Sequence, residues 1–178
     1  MSNRYPLKFN PALPPSQHMS DGGAEPNAYL AGPMRGYEMH NFPAFFDAAL
    51  TLRYHGWGIE NPAEYDIAAG VDPSKEEKAW PITVKEMLRT DFRLILERCN
   101  AIILLPGWAA SKGASMECAI AHNVGLPVFE LVQTGLGLRL RPLRIDEINI
   151  QFLTENTEQR SADGPITIDP FENVERIL

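Results

Sequence analysis

The sequence predicts an α/β protein with a doubly wound parallel sheet. Short apolar runs that are typical of buried strands alternate along the chain with longer segments of helical periodicity. One run, residues 101–107 (AIILLPG), is apolar without alternation until its closing Pro-Gly, which indicates a parallel strand buried on both faces. With 178 residues, 44% of them hydrophobic, the chain is long enough for one domain with a sizeable core.

A segment rich in Pro, Ser, Gly and Asn precedes the first predicted strand. Residues 1–27 show little apolar periodicity, so we expect an extended or flexible N-terminal arm. The α/β pattern then begins with an apolar run at residues 28–32 (AYLAG), a helical segment at 42–56 and a short strand at 57–62. Several turn signals at residues 61–80 predict a long functional or covering loop.

The second half of the pattern repeats this order. Residues 81–99 predict a helix with Pro81 in its first turn, where proline is favoured. The apolar strand at residues 101–107 follows, then a helix that begins near Gly113 and a further strand at residues 127–131. This alternation implies right-handed crossovers and a three-layer α/β/α sandwich of the flavodoxin-like or Rossmann-like type.

The domain boundaries follow from this pattern. We place the α/β domain at residues 28–131 and expect a C-terminal extension at residues 132–178 that packs on the same domain. Within the extension, residues 134–153 are compatible with one more strand and a short helix, and they carry no chemical motif.

Charge and hydropathy exclude several classes of partner. The formal net charge is -7 and no basic stripe with interleaved aromatics occurs, so we expect no nucleic acid polymer, although a few local cationic groups can still hold a small anion. No apolar run reaches the length of a membrane span, so we expect no membrane partner. Cys99 and Cys118 make no disulfide framework and no secretion signal is recognisable, so a cytoplasmic location is expected.

Two glycine-containing loops follow predicted strands, and ligands of open parallel sheets bind at that edge. Residues 32–36 (GPMRG) place Arg35 between two glycines, and residues 106–113 (PGWAASKG) lead through Ser111 and Gly113 into a helix. Each loop also has a simpler interpretation. The loop at residues 32–36 could be an ordinary turn with a solvated arginine, and Ser111 in the other loop could be a helix N-cap.

Two carboxylates interrupt apolar helix faces. Glu117 shares its predicted face with Ile120, Ala121 and Val124, and Asp91 lies within a second apolar stripe. That second stripe comprises Val84, Met87, Leu88, Leu94 and Ile95. A desolvated carboxylate has to be paired or take part in chemistry, so we expect both groups in a ligand crevice.

Other side chains give weaker signals. Cys118 and His122 are four residues apart on one helix, but a zinc site needs three or four ligands, so we expect no metal and no cofactor. The loop at residues 32–36 lacks the Lys-Ser/Thr of a P-loop. Trp108 lies beside the predicted site, where it either stacks on a base or covers the core.

Three motifs, in this order, resemble the nucleoside 2-deoxyribosyltransferase superfamily. They are YLAGPMRG at residues 29–36, Asp91 in the helix before AIILLPGW, and the Ser-x-Gly-x-x-x-Glu pattern of Ser111, Gly113 and Glu117. The resemblance covers the predicted α/β domain. It is greatest to the deoxynucleoside 5'-monophosphate N-glycosidases and their small phage-encoded relatives.

The resemblance implies a chemical role for each carboxylate. Glu117 would be the nucleophile that attacks C1' of the sugar, where a carboxylate stabilises an oxocarbenium-like transition state. Asp91 would bind the sugar hydroxyls or help to protonate the departing base. Ser111 and Gly113 would present a hydroxyl and backbone N–H groups to the 5' side of the sugar.

The resemblance also implies a phosphate subsite. The loop that contains Gly32, Met34, Arg35 and Gly36 would hold a 5'-phosphate, because an arginine–phosphate contact is charge-assisted and often bidentate. Trp108 would complete the substrate-binding set. The transferases of the superfamily act on uncharged nucleosides and do not need such an arginine.

These implications favour hydrolysis of a nucleoside 5'-monophosphate to free base and (deoxy)ribose 5-phosphate. Three alternatives stay open: a 2-deoxyribosyltransferase, a nucleotide-sensing or sequestering protein without turnover, and, more distantly, an NAD-cleaving enzyme. The resemblance further implies a homodimer or larger homo-oligomer, and a location in the host cytoplasm if the chain is encoded by a phage.

Overall fold

The computed structural model describes residues 26–134 and 137–143, so the predicted arm up to residue 25 and the predicted extension from residue 144 onward lie outside the described residues. The strands and helices, in chain order, are β1 (Asn27–Ala31), α1 (Phe42–Tyr54), β2 (Gly58–Glu60), α2 (Pro62–Ala68), α3 (Val84–Glu97), β3 (Ala101–Leu104), α4 (Lys112–Asn123), β4 (Val128–Thr134) and β5 (Gly137–Pro142). Short 3-10 turns lie at Glu38–Asn41, Glu77–Ala79 and Trp108–Ala110. No helix in this part of the chain combines the length and the apolar character needed to cross a membrane.

The strands form one sheet in the order β2-β1-β3-β4-β5. The pairings of β1 with β2, of β1 with β3 and of β3 with β4 are parallel, and β5 runs antiparallel to β4. Strand β1 is therefore an interior strand, with Ala28 opposite Ile59 on one side and Ala101 on the other.

Helices cover both faces of this sheet. Ala28 and Leu30 of β1 belong to the hydrophobic core that also contains Phe42 and Leu52 of α1. Tyr29 points to the opposite face, because successive strand residues alternate, and α3 and α4 pack against β1 on that face. The predicted α/β fold, a mostly parallel sheet in a three-layer sandwich, is confirmed.

Helix α2 replaces the first part of the long loop that the sequence predicted at residues 61–80. The side chain of Asn61 accepts a hydrogen bond of 3.1 Å from the backbone N–H of Ala63, and Pro62 occupies the first helical turn. Asn and Pro are turn residues, but in this order they also start a helix. The loop prediction is therefore wrong for Pro62–Ala68.

Helix α3 begins three residues later than predicted. Its N-cap is Thr83, whose hydroxyl accepts a 3.3 Å hydrogen bond from the Glu86 backbone N–H, while the Glu86 carboxylate accepts a 2.7 Å hydrogen bond from the Thr83 N–H. This reciprocal capping box satisfies donors that a helix start leaves unpaired. Pro81 therefore precedes the helix, and its predicted place in the first turn is wrong.

The sheet continues past residue 131, where the sequence placed the end of the α/β domain. Strand β4 runs to Thr134, and β5 pairs with it from Gly137 to Pro142. Leu138 and Leu140 of β5 are buried in the same hydrophobic core as α1. The segment after residue 131 thus supplies an edge strand of the main sheet.

The capping box predicts unequal effects for two threonine substitutions. Thr83→Ala removes the N-cap of α3 and is expected to lower the free energy of unfolding by about 0.5–2 kcal/mol. Thr51→Ala removes only a hydroxyl that donates to the Asp47 carbonyl within α1, and is expected to change it by less than about 0.5 kcal/mol. Urea denaturation of both variants measures the difference, and equal losses would contradict the assigned cap.

Candidate active site

A cavity opens at the carboxyl ends of β1 and β3. Seven of the nine site residues predicted from the sequence line it, which are Gly32, Met34, Arg35, Asp91, Ser111, Gly113 and Glu117. They come from the loop after β1, from α3 and from the start of α4. The sequence motifs, although far apart in the chain, thus border one space at the edge where parallel sheets bind ligands.

Glu117 lies at the buried side of this cavity, with only 7% of its surface exposed. The Tyr29 hydroxyl donates a hydrogen bond of 3.1 Å to Glu117 Oε1. The buried residues of α4 are Ala114, Glu117, Cys118 and Ala121. Glu117 is therefore on the buried face, as predicted, whereas the prediction for Val124 is wrong because that side chain is 51% exposed near the end of the helix.

Two further carboxyl groups share the cavity with Glu117. Asp91 projects from α3, and Asp66 projects from α2, where it is 8% exposed. Asp66 escaped the sequence interpretation because its segment was taken for a loop. Had Asn61 and Pro62 been interpreted as a helix start, Asp66 would have fallen on one helix face with Pro62.

Burial makes all three carboxyl groups difficult to ionise. Burial, together with the charge of Asp91, raises the pKa of Glu117 to about 8, against the opposing hydrogen bond from Tyr29. Burial raises the pKa of Asp91 to about 7 and that of Asp66 to about 6. The same burial and the neighbouring carboxylates raise the pKa of Tyr29 well above its ordinary value, so its hydroxyl remains a donor.

The start of α4 presents groups that suit an anion. The Ser111 hydroxyl accepts a 3.3 Å hydrogen bond from the Ala114 N–H, which confirms the N-cap interpretation, and Ser111 also lines the cavity. Lys112 and Gly113 follow in the first turn and border the same space. N–H groups of a first helical turn have no partner inside the helix, and the helix dipole favours negative charge there.

Arg35 reaches the cavity while it forms an ion pair with Glu77. Its Nε donates to Glu77 Oε1 at 2.6 Å, and its Nη2 donates to Glu77 Oε2 at 3.1 Å. This hydrogen bond raises the pKa of Arg35 further. The side chain of Arg35 remains 66% exposed, so the pair sits at the rim of the cavity in contact with solvent.

The structure does not bring the other two predicted residues, Trp108 and Gly36, to this cavity. The Trp108 indole N–H donates a 2.7 Å hydrogen bond to Glu130 of β4, so its ring is directed to the side of β4. Gly36 adopts a φ of 83°, which fits the turn interpretation of its loop. Both predictions relied on closeness in sequence to residues that do line the cavity.

Nine residues at the cavity were not predicted as site residues. They are Tyr29, Phe45, Pro62, Asp66, Val84, Met87, Leu88, Lys112 and Ala114. Tyr29 and Lys112 stand inside the quoted motifs, Phe45 lies in a predicted helix, and Pro62 was assigned to the end of a strand and to a turn. Within residues 26–134 and 137–143, no three His, Cys, Asp or Glu side chains are grouped as a metal site.

Fold and site together define a class of protein, an α/β sandwich with a carboxyl-lined cavity at the carboxyl ends of its central strands. The chain belongs to the family described as Domain of unknown function (DUF4406), whose family model matches residues 26–130. That match contains every residue that lines the cavity. Comparison with curated proteins gave no match.

The buried carboxyl of Glu117 predicts a pH-dependent stability difference. Because its pKa is raised from 4.5 to about 8, the folded state holds a proton that the unfolded state releases, so stability falls as pH rises between these values. Each unit of such a rise corresponds to about 1.4 kcal/mol. Glu117→Gln is therefore expected to unfold with a higher free energy than the wild type at pH 8, by more than about 1 kcal/mol, and with a smaller gain at pH 5.

Chemical denaturation at both pH values tests this difference. Glu97→Gln, which alters an exposed carboxylate of α3, is the matched control and should change stability by less than about 0.5 kcal/mol at either pH. A loss of stability for Glu117→Gln at pH 8 would show that Glu117 is a stabilising charge.

Proposed function

We propose that this chain hydrolyses the N-glycosidic bond of a nucleoside 5'-monophosphate through a covalent glycosyl-Glu117 intermediate. The products are the free base and (deoxy)ribose 5-phosphate. This proposal includes kinship with the nucleoside 2-deoxyribosyltransferase superfamily, which the motifs around Arg35, Asp91 and Glu117 resemble.

The pairing of Glu117 with Asp91 in one desolvated cavity carries the proposal. Each carboxyl group raises the energy of the other's ionised form, and both line the same space. Two carboxyl groups that share a site lose their protons in two steps that belong to the pair. With pKa values of about 8 for Glu117 and about 7 for Asp91, the first loss occurs near neutral pH and falls first on Asp91. The reactive form, a Glu117 carboxylate beside an Asp91 carboxylic acid, is reached when the remaining proton passes from Glu117 to Asp91.

Double displacement at a glycosidic carbon needs this combination of an acid and a nucleophile. The Glu117 carboxylate forms a bond to C1' as the bond from C1' to the base nitrogen breaks, and the departing base takes a proton from Asp91. Asp91 then removes a proton from water, whose oxygen displaces Glu117 from C1'. The Tyr29 hydroxyl donates to Glu117 Oε1 and also lowers the pKa of Asp91, so it favours one negative charge on this pair of carboxyl groups.

Cationic groups that border the same cavity support a phosphate subsite. Arg35, Lys112 and the first turn of α4 bring positive charge and N–H donors to the rim, although the chain as a whole has a net charge of -7. A dianionic phosphate competes with the single charge of Glu77 for Arg35. A cationic part and a carboxyl-lined part in one cavity suit a ligand with a phosphate at one end.

Loss of the nucleophile is expected to abolish base release. Purified wild type is incubated with ribo- and deoxyribonucleosides and their 5'-monophosphates, and free base is followed by chromatography with and without an acceptor base. Glu117→Gln keeps an oxygen that accepts from Tyr29 but has no carboxylate, so turnover should fall by at least about a thousandfold. Glu97→Gln, on the outer face of α3, should retain activity.

The same incubation separates the proposal from its alternatives. Exchange of bases that requires the acceptor would make the protein a transferase, and nucleotide binding without base release would make it a sensing or sequestering protein. Wild-type turnover in Glu117→Gln would remove Glu117 from the mechanism.

A second prediction concerns the phosphate. Arg35→Ala is expected to raise KM for a monophosphate by about 10- to 100-fold while it changes KM for the nucleoside little, because a charge-assisted contact is lost. Arg53→Ala is the matched control, since Arg53 also pairs with one carboxylate, Glu64, at 2.6 Å but does not line the cavity. Equal effects of Arg35→Ala on both substrates would contradict a phosphate contact.

A further inference from the structure

The side chain of Asp66 has no role in the reaction sequence above, yet it is held in the same cavity. It is 8% exposed and borders the cavity from α2. No hydrogen bond or ion pair joins its carboxyl group to another residue of the described ranges. A desolvated carboxyl without a protein partner has unused acceptor capacity, which a ligand can satisfy.

The neighbours of Asp66 form a wall that suits a flat ring. Pro62 precedes Asp66 by one turn of α2, so both lie on the same helix face, and Phe45 of α1 also borders the cavity. Asn61, directly before Pro62, donates through Nδ2 to the Phe45 carbonyl at 3.4 Å and holds the two helices together. An apolar surface beside a single hydrogen-bonding group is a common arrangement for a bound base.

Topology assigns this wall to one end of the cavity. Helix α4 follows β3 and helix α2 follows β2, and β1 lies between these two strands in the sheet. The cationic groups of Lys112 and the α4 start are therefore on the β3 side, and Asp66 is on the β2 side. A nucleotide with its phosphate at α4 and its C1' at Glu117 extends its base towards α2.

We propose that Asp66 recognises the base of the nucleotide and selects guanine by accepting hydrogen bonds from its N1–H and 2-amino groups. This inference rests on the proposed function and names the substrate class of the same site. A carboxylate only accepts hydrogen bonds. Guanine is the one common base whose Watson–Crick edge offers two adjacent donors, whereas adenine, cytosine and uracil each place an acceptor beside their donor.

Ionisation of Asp66 agrees with this assignment. Burial raises its pKa to about 6, so the group is mainly ionised at neutral pH, unlike Asp91 and Glu117. Its charge also contributes to the raised pKa values of those two groups. In a bidentate contact, guanine donates two hydrogen bonds to the Asp66 carboxylate. These take the place of the hydrogen bonds that water would otherwise donate to it.

The test compares guanine with hypoxanthine, which lacks only the 2-amino group. The 5'-monophosphates of both bases, with the sugar that the panel identifies, are assayed with wild type, Asp66→Asn and Glu64→Gln. Wild type should favour guanine in kcat/KM, and Asp66→Asn should reduce this preference by about 10- to 100-fold, the range expected for one bidentate base contact. Glu64→Gln, the same chemical change on α2 in a residue that pairs with Arg53, should leave the preference unchanged.

Each remaining result contradicts either the inference or the proposed function. If Asp66→Asn lowers kcat/KM equally for both bases, or the wild type does not favour guanine, Asp66 does not select the base. If the wild type releases no base from any monophosphate, the proposed function fails, and calorimetric binding of the two monophosphates to wild type and Asp66→Asn still tests the role of Asp66. Asp66→Ser replaces Asp66→Asn in every arm if the latter does not fold.

Discussion

The hydrogen bond from the Tyr29 hydroxyl to Glu117 is the contact on which the arrangement of the site depends. It links the interior strand β1 to helix α4, which follows the neighbouring strand β3. The Glu117 carboxyl group is 7% exposed, and the Tyr29 hydroxyl gives it a hydrogen-bond partner from the sheet. In β1, Tyr29 stands between the core residues Ala28 and Leu30, and because strand residues alternate it faces the other side of the sheet, towards α3 and α4. The alternation along β1 therefore directs the Tyr29 hydroxyl to Glu117.

Three carboxyl groups in one cavity oppose folding, since burial raises the pKa of each and neighbouring carboxylates raise those of Asp91 and Glu117 further. Such a cluster destabilises the empty protein most at pH values where all three are ionised. A ligand that carries positive charge at its transition state, or hydrogen-bond donors at its base, lowers the energy of the same groups. The type of ligand that the site is proposed to bind would thus reduce the destabilisation caused by the buried carboxyl groups of Asp66, Asp91 and Glu117.

The sequence predicted the sheet, three of the four helices in the described residues and seven of the sixteen residues that line the cavity, because apolar strands and glycine loops produce strong local patterns. Helix α2 was missed because Asn61 and Pro62 signal both a turn and a helix start, and only the packing of Ala63 in the core selects between the two. Because helix α2 was not predicted, Asp66 was not predicted as a site residue either. Trp108 was placed in the site by its sequence neighbours, but its indole N–H contacts Glu130, which is distant in sequence. Contacts of that kind depend on tertiary structure and leave no local signal.

The ion pair between Arg35 and Glu77 explains how an acidic chain can hold a cation ready for an anionic ligand. A lone guanidinium at the rim would attract any anion, whereas the bidentate contact to Glu77 fixes its plane and reduces its net charge. To displace Glu77, a ligand has to attract Arg35 more strongly than a single carboxylate does. A phosphate dianion meets this condition through its higher charge and the N–H donors at the α4 start. Because the pair is solvent-exposed, its own contribution to stability is small, so exchange of Glu77 for phosphate costs the fold little. Under the proposed function, selectivity for phosphate over simple carboxylates follows from this competition between Glu77 and the phosphate for Arg35.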